Sequence, residues 1–107
     1  MNLSDKTSSR NIQLVDFPDV DEIDAATIKK IINESYDKIS MILNNKISLK
    51  LHFKQYSKKG LRRKHSIHAK LDSPSINLTA SDWDWKLITA LQKTLEALVK
   101  EIKSKLK

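Results

Sequence analysis

Residues 47–54 alternate strictly: Ile47, Leu49, Leu51 and Phe53 are apolar, while Ser48, Lys50, His52 and Lys54 are polar or charged. A period of two sends successive side chains to opposite faces of an extended chain, so this segment is expected as a strand with one apolar and one wet face. The pattern returns with Ile67, Ala69 and Leu71 on one parity and Lys64, Ser66, His68 and Lys70 on the other. Between them, Ser57–Arg63 reads as the turn. It holds Gly60, the only glycine of the chain, and a glycine in a polar stretch supplies the positive φ that a hairpin turn needs. Such a hairpin is not stable alone and must lay its apolar face on another element.

Two helices supply that cover. Ile28, Ile31, Ile32, Ser35, Ile39, Ile42 and Leu43 recur at steps of three and four, which keeps them on one helical face. The acidic run 19–24 marks the start, where negative charge meets the positive end of the helix dipole, and Asn44-Asn45 marks the stop. The first helix is therefore expected over 22–44. Leu87, Ile88, Leu91, Leu95, Leu98, Val99, Ile102 and Leu106 define a second, preceded by Ser81-Asp-Trp-Asp84, which resembles a capping box with Ser81 as N-cap. Trp83 and Trp85 would open that helix. A short first strand is read at Ile12-Gln-Leu14 and ended by Pro18. After the turn 72–75, Ile76, Leu78 and Ala80 give a fourth strand. The order is β-α-β-β-β-α: an α+β fold with a four-stranded mixed sheet and both helices packed on one face. Residues 1–10 are small and polar and are expected as a flexible arm, leaving 11–107 as a single domain.

The basic excess is unevenly spread. The chain of 107 residues carries a net charge of +7 with a pI near 9.7. Acids outnumber bases 8 to 5 over 1–44, and bases outnumber acids 15 to 5 over 45–107. Such asymmetry points to a polyanionic partner on one side of the molecule. There are no cysteines, which removes disulfides and thiolate metal sites and agrees with a reducing, cytoplasmic setting. The polar start, 1–11, does not read as a signal peptide, and no run approaches the ~18 apolar residues of a membrane helix.

The wet face of the hairpin carries the strongest functional signal. It sets Lys50, His52, Lys54 and Tyr56 beside Lys64, Ser66, His68 and Lys70, with Lys58, Lys59, Arg62 and Arg63 at the tip and no acid among them. Like charges on neighbouring strands repel, and a phosphate backbone would relieve that repulsion while releasing counterions. The blander explanation is a lysine-rich edge that discourages aggregation, but such edges normally mix signs. Lys86, Lys93, Lys100 and Lys107 stand seven apart along the second helix. Lys86 and Lys93 lie far from its C-terminus, so dipole compensation does not account for them as it does for Lys103, Lys105 and Lys107. Of the two tryptophans, packing against the core or the helix cap is one role and base stacking the other. His52 and His68 have no cysteine or carboxylate to complete a zinc set. His65 falls on the inward parity as a turn or edge residue. There is no nucleophile elbow, Cys-His pair or glycine-rich phosphate loop, so no catalysis, cofactor, metal or small-molecule substrate is expected.

Among nucleic-acid modules, a KH domain needs a GXXG loop and an RRM needs aromatics on its central strands. Neither is present. The last five elements match a double-stranded-RNA-binding domain, whose lysine cluster at the last helix is replaced here by the acids of Ser81-Asp-Trp-Asp84. The whole order, the basic hairpin and the ending from Ala90-Leu-Gln-Lys-Thr-Leu-Glu-Ala-Leu98 to Ile102 resemble the ribosome hibernation-promoting factor and ribosome-associated inhibitor family, in its short form. Ala90-Leu91, Leu95-Glu96 and Leu98 fall in register with that family's last helix, and Leu78-Thr-Ala80 with its final strand. The resemblance covers about residues 10–105. The family's acid-then-tyrosine step is not reproduced; Lys86 and Ile88 occupy those places. What the resemblance implies is binding to the small ribosomal subunit and its rRNA, in the channel of messenger and transfer RNA, as a monomer off the ribosome. A general RNA-binding accessory protein and a basic protein-interaction module remain open beside it.

Overall fold

The computed structural model describes residues 10–58 and 62–106, apart from the side chains of Lys58 and Arg62. The expected arm (but for Arg10), Lys59, Gly60 and Lys107 lie outside the described residues. Six elements follow in the expected order: β1 (Asn11–Val15), α1 (Glu22–Leu43), β2 (Ser48–Lys58), β3 (Arg62–Asp72), β4 (Asn77–Asp84) and α2 (Leu87–Lys105). They form one sheet in the spatial order β1-β2-β3-β4. β1 pairs with β2 in parallel, and β2–β3 and β3–β4 are antiparallel.

Helix α1 begins where its acids make it begin. Asp21 is the N-cap, in extended conformation, and its carboxylate accepts the Asp24 N–H at 2.8 Å. Glu22 and Asp24 add negative charge to the first turn. The helix stops at Asn44, whose left-handed φ of 50° turns the chain so that the Asn45 N–H bonds back to the Ser40 carbonyl at 3.3 Å; asparagine tolerates that conformation better than most residues. Its buried stripe is Ile28, Ile32, Tyr36 and Ile39, so Tyr36 takes an inward place that the apolar pattern alone does not assign to it.

The apolar face of the sheet supplies Ile12, Leu49, Leu51, Phe53, Ile67, Ala69 and Leu71, all buried. Helix α2 covers them with Ala90, Leu91, Leu95, Leu98 and Ile102. Thr94 is fully buried, and its hydroxyl is satisfied by the Ala90 carbonyl at 2.8 Å. Truncating one of the central residues, for example Leu51→Ala, would cost about 2–5 kcal/mol in lost transfer energy and cavity formation. The Tyr36 hydroxyl ties α1 to β1 and to the residue just before β2: it donates to the Ile47 carbonyl at 2.7 Å and accepts the Asn11 N–H at 3.1 Å. Arg10 adds a two-pronged pair with Asp37, 2.7 Å at its shortest.

The structure corrects three expectations. Ser81 is not a helix cap: 81–84 belong to β4, in ladder with β3 as far as His65↔Asp84. The eleven residues of β3 offer backbone partners over that whole length, and the ladder prevails over the local capping tendency. Helix α2 starts instead after Lys86, which makes no side-chain cap bond. Ser57 and Arg63, read as turn, are strand residues paired with each other. Leu106 is exposed rather than part of the apolar stripe.

Candidate nucleic-acid interface

With both helices on one side of the sheet, the other side is left uncovered among the described residues. The register decides who meets whom on it. Lys50 faces Lys70, His52 faces His68, Lys54 faces Ser66 and Tyr56 faces Lys64 across β2–β3. β4 extends these rows with Thr79 beside Lys70, Ser81 beside His68 and Trp83 beside Ser66. On the other flank Gln13 lies beside Lys50 and Val15 beside His52. Lys50, Lys54, His68 and Lys70 are exposed, and His52 and Lys64 half-buried. A shallow groove runs over this face, lined by Lys50, His52, His68, Lys70, Thr79 and Ser81.

Two acids reach the face among the described residues: Asp72, which ends β3 opposite Ser48 on the same parity as Lys70, and Asp16. Asp16, just beyond β1, holds a left-handed φ of 56° and sets its carboxylate 2.8 Å from His52 Nε2. Asp16 stands two residues before Pro18 and 36 before His52 in the sequence, so only the parallel pairing of β1 with β2 reveals the contact.

Not every expected basic residue joins the set. Arg63 has the opposite parity: it pairs with Ser57 and its Nη1 donates to Gln55 Oε1 at 3.3 Å, on the helix-bearing side of the sheet. Lys58 and Arg62 are a register pair at the far end of the ribbon, on the parity of the open face; Lys59 lies outside the described residues. Lys93 donates to the Trp83 carbonyl at 2.8 Å and stands 3.5 Å from both Asp82 and Asp84, so its charge is answered within the chain. Lys86 is exposed at the entrance to α2, where its N–H donates to Asp84. That bond, followed by the nearby Lys93 ammonium, holds the Asp84 carboxyl below its usual range.

The tryptophans form a corner beside this face. Trp83, at the end of the edge strand β4, is 42% exposed, and Trp85, just past it, 43%. Their rings meet edge to face at 5.5 Å between centroids. The Lys64 ammonium lies 4.5 Å from the Trp83 ring and that of Lys93 5.7 Å. Exposed cation–π contacts of this kind contribute about 0.5–1 kcal/mol. Neither ring is part of the core, which removes core packing as their role. The pattern of acids that suggested a helix cap had hidden this.

His65 is inward, as its parity requires, opposite Gln55 and Asp84. Burial, with Arg63 adding to it, pushes its pKa below the ordinary histidine value. Its Nδ1 is buried with no hydrogen-bond partner among the described residues. No group of three or more potential metal ligands occurs among those residues, and no helix there is long and apolar enough to cross a membrane.

The arrangement defines a class: an α+β domain that presents one uncovered, predominantly basic sheet face. No family model and no curated protein sequence matches the chain. Among solved structures it is similar to the N-terminal domain of Protein Y from Thermus thermophilus, with a TM-score of 0.66 at 11% identity over 91% of this chain and 98% of that one. At that identity the likeness is one of fold.

Proposed function

We propose that this protein binds the small ribosomal subunit as a hibernation-type inhibitor of translation, occupying the channel of messenger and transfer RNA in the cytoplasm. The observation that carries the reading is the ladder of Lys50/Lys70, His52/His68, Lys54/Ser66 and Tyr56/Lys64 on a sheet face that no helix among the described residues covers. The sequence resemblance to the hibernation-promoting factors and the fold shared with the Protein Y domain support it.

The mechanism is binding alone. Each lysine that meets a phosphate displaces condensed counterions, which supplies most of the affinity and makes it fall with salt. Lys50, Lys54, Lys64, Lys70 and the imidazoles of His52 and His68 position the sheet on the rRNA backbone. Phosphate contacts fix register without reading sequence. Occupancy then excludes messenger and transfer RNA, with no bond made or broken and no cofactor required.

The test is co-sedimentation with purified small subunits across a salt series, with transfer RNA as competitor. Saturation at about one copy per subunit, displaced by transfer RNA, is expected for a phosphate-rich single site. Non-saturating binding no tighter than to any duplex RNA would overturn the reading in favour of a general RNA binder. Binding that survives nuclease treatment would point to an acidic protein partner instead.

A further inference from the structure

We propose that Trp83 is a stacking platform for an unpaired nucleobase, so that the open face takes up a single-stranded stretch of RNA at the end of β4. The proposal rests on the reading of this face as an RNA interface and names the form of RNA that it grips there.

Trp83 stands in one row with Ser66 and Lys54 across three strands, with Lys64 one step further along β3. At about 4.8 Å between strands, Lys54 is roughly 10 Å from Trp83, within reach of the phosphates that flank a base on its ring. Part of the ring is apolar surface left in water, and the fold draws no core burial from it: the apolar core lies on the other side of the sheet. Its orientation is nonetheless fixed. Trp85 packs against it at 84° between ring planes, and Lys93 holds the Trp83 carbonyl. A ring held in place loses little entropy when a base stacks on it.

The Lys64 ammonium now occupies the neighbourhood of that ring, at 4.5 Å. An exposed cation–π contact is weak, whereas a lysine–phosphate bond is charge-assisted. A nucleotide can therefore take the ring for its base and Lys64 for its phosphate in one step. Only an unpaired base has a face to offer, because bases in a duplex are stacked on their neighbours. The corner thus selects loops, bulges and ends over helical RNA.

The experiment uses the full chain carrying Trp85→Phe, which leaves Trp83 as the only tryptophan of the two in the sequence. Its fluorescence is followed during titration with an unstructured oligoadenylate and with an RNA duplex of equal charge. Saturable quenching by the single strand and little by the duplex is expected. Trp83→Ala should weaken single-strand binding about 5- to 150-fold, the range for loss of a stacked aromatic. It should leave the salt slope unchanged, since stacking releases no counterions, and Trp83→Phe should restore most of the affinity. Equal quenching by duplex, or unchanged single-strand affinity in Trp83→Ala, overturns the proposal. Small-subunit binding measured on the same proteins separates the two readings. Tight subunit binding that ignores Trp83→Ala removes the stacking role alone. Trp83-dependent binding of single strands without saturable subunit binding removes the ribosomal reading alone.

Discussion

Lys50 and Lys70 stand directly opposite each other across β2 and β3, two exposed ammonium groups on one face of an antiparallel ladder. Directly opposed like charges destabilise a sheet, by an amount on the scale of the ~0.2–1 kcal/mol that cross-strand pairs contribute. The pair therefore sets stability against binding. Lys70→Gln is expected to raise the urea midpoint slightly while weakening RNA binding. A variant that loses both stability and binding would show the lysine to be structural.

Arg63 and Lys54 differ in face, so they should differ in effect. Lys54→Gln is expected to lower the slope of log affinity against log salt by about one, as for any lost phosphate contact. Arg63→Gln, which removes a side chain on the opposite parity and bonded to Gln55, should leave that slope unchanged. Filter binding at four or five salt concentrations reads both. Equal effects would mean that the RNA wraps round the ribbon.

Tyr36 is expected to be the most sensitive polar residue of the fold. Tyr36→Phe keeps the ring but strands the Ile47 carbonyl and the Asn11 N–H. Leaving such groups unpaired costs about 1–3 kcal/mol. Chemical denaturation should show this loss, with early exchange of the β1 amides because β1 is the strand the hydroxyl holds.

His65 gives the stability a pH dependence of known sign. Burial lowers its pKa in the folded state below the ordinary 6.5. As pH falls through 6.5, the unfolded chain takes up a proton that the native state refuses. Stability contributed by neutral His65 is present above that value and is lost as pH falls below it. Comparing urea midpoints at about pH 7.5 and pH 5.5, the wild type should lose more than His65→Gln. An equal loss in both would assign the slope to other groups.

Most of the architecture was legible because the two periodicities are clean. The alternation from Ile47 to Phe53 and from Lys64 to Leu71 fixes which face is wet, and the register confirms it residue by residue. The junction before α2 was not legible. Ser81-Asp-Trp-Asp84 satisfies a local capping rule, and nothing local reveals that β3 is long enough to hold these residues in a ladder. The same non-local pairing turned the tryptophans from helix residues into a surface corner. It also reversed Arg63, since a residue assigned to a turn has no parity until the strands are known to continue. Asp16 escaped notice because its contact with His52 spans 36 positions.

Strands β2 and β3 run on well past the cover of the helices. Phe53 and Ile67 are the last buried residues on the pair, yet β2 continues to Lys58. β4 leaves β3 at His65, opposite Gln55, so the last three residues of β2, at about 3.3 Å each, make a bare two-stranded ribbon roughly 10 Å long. Wet on both sides, it adds almost nothing to the core. It is geometrically a probe on a handle: the packed part sets position and angle, while the free end can enter a cleft too narrow for the domain itself. The width of that cleft, about two strands, is thus written into the protein as a size limit on whatever receives it.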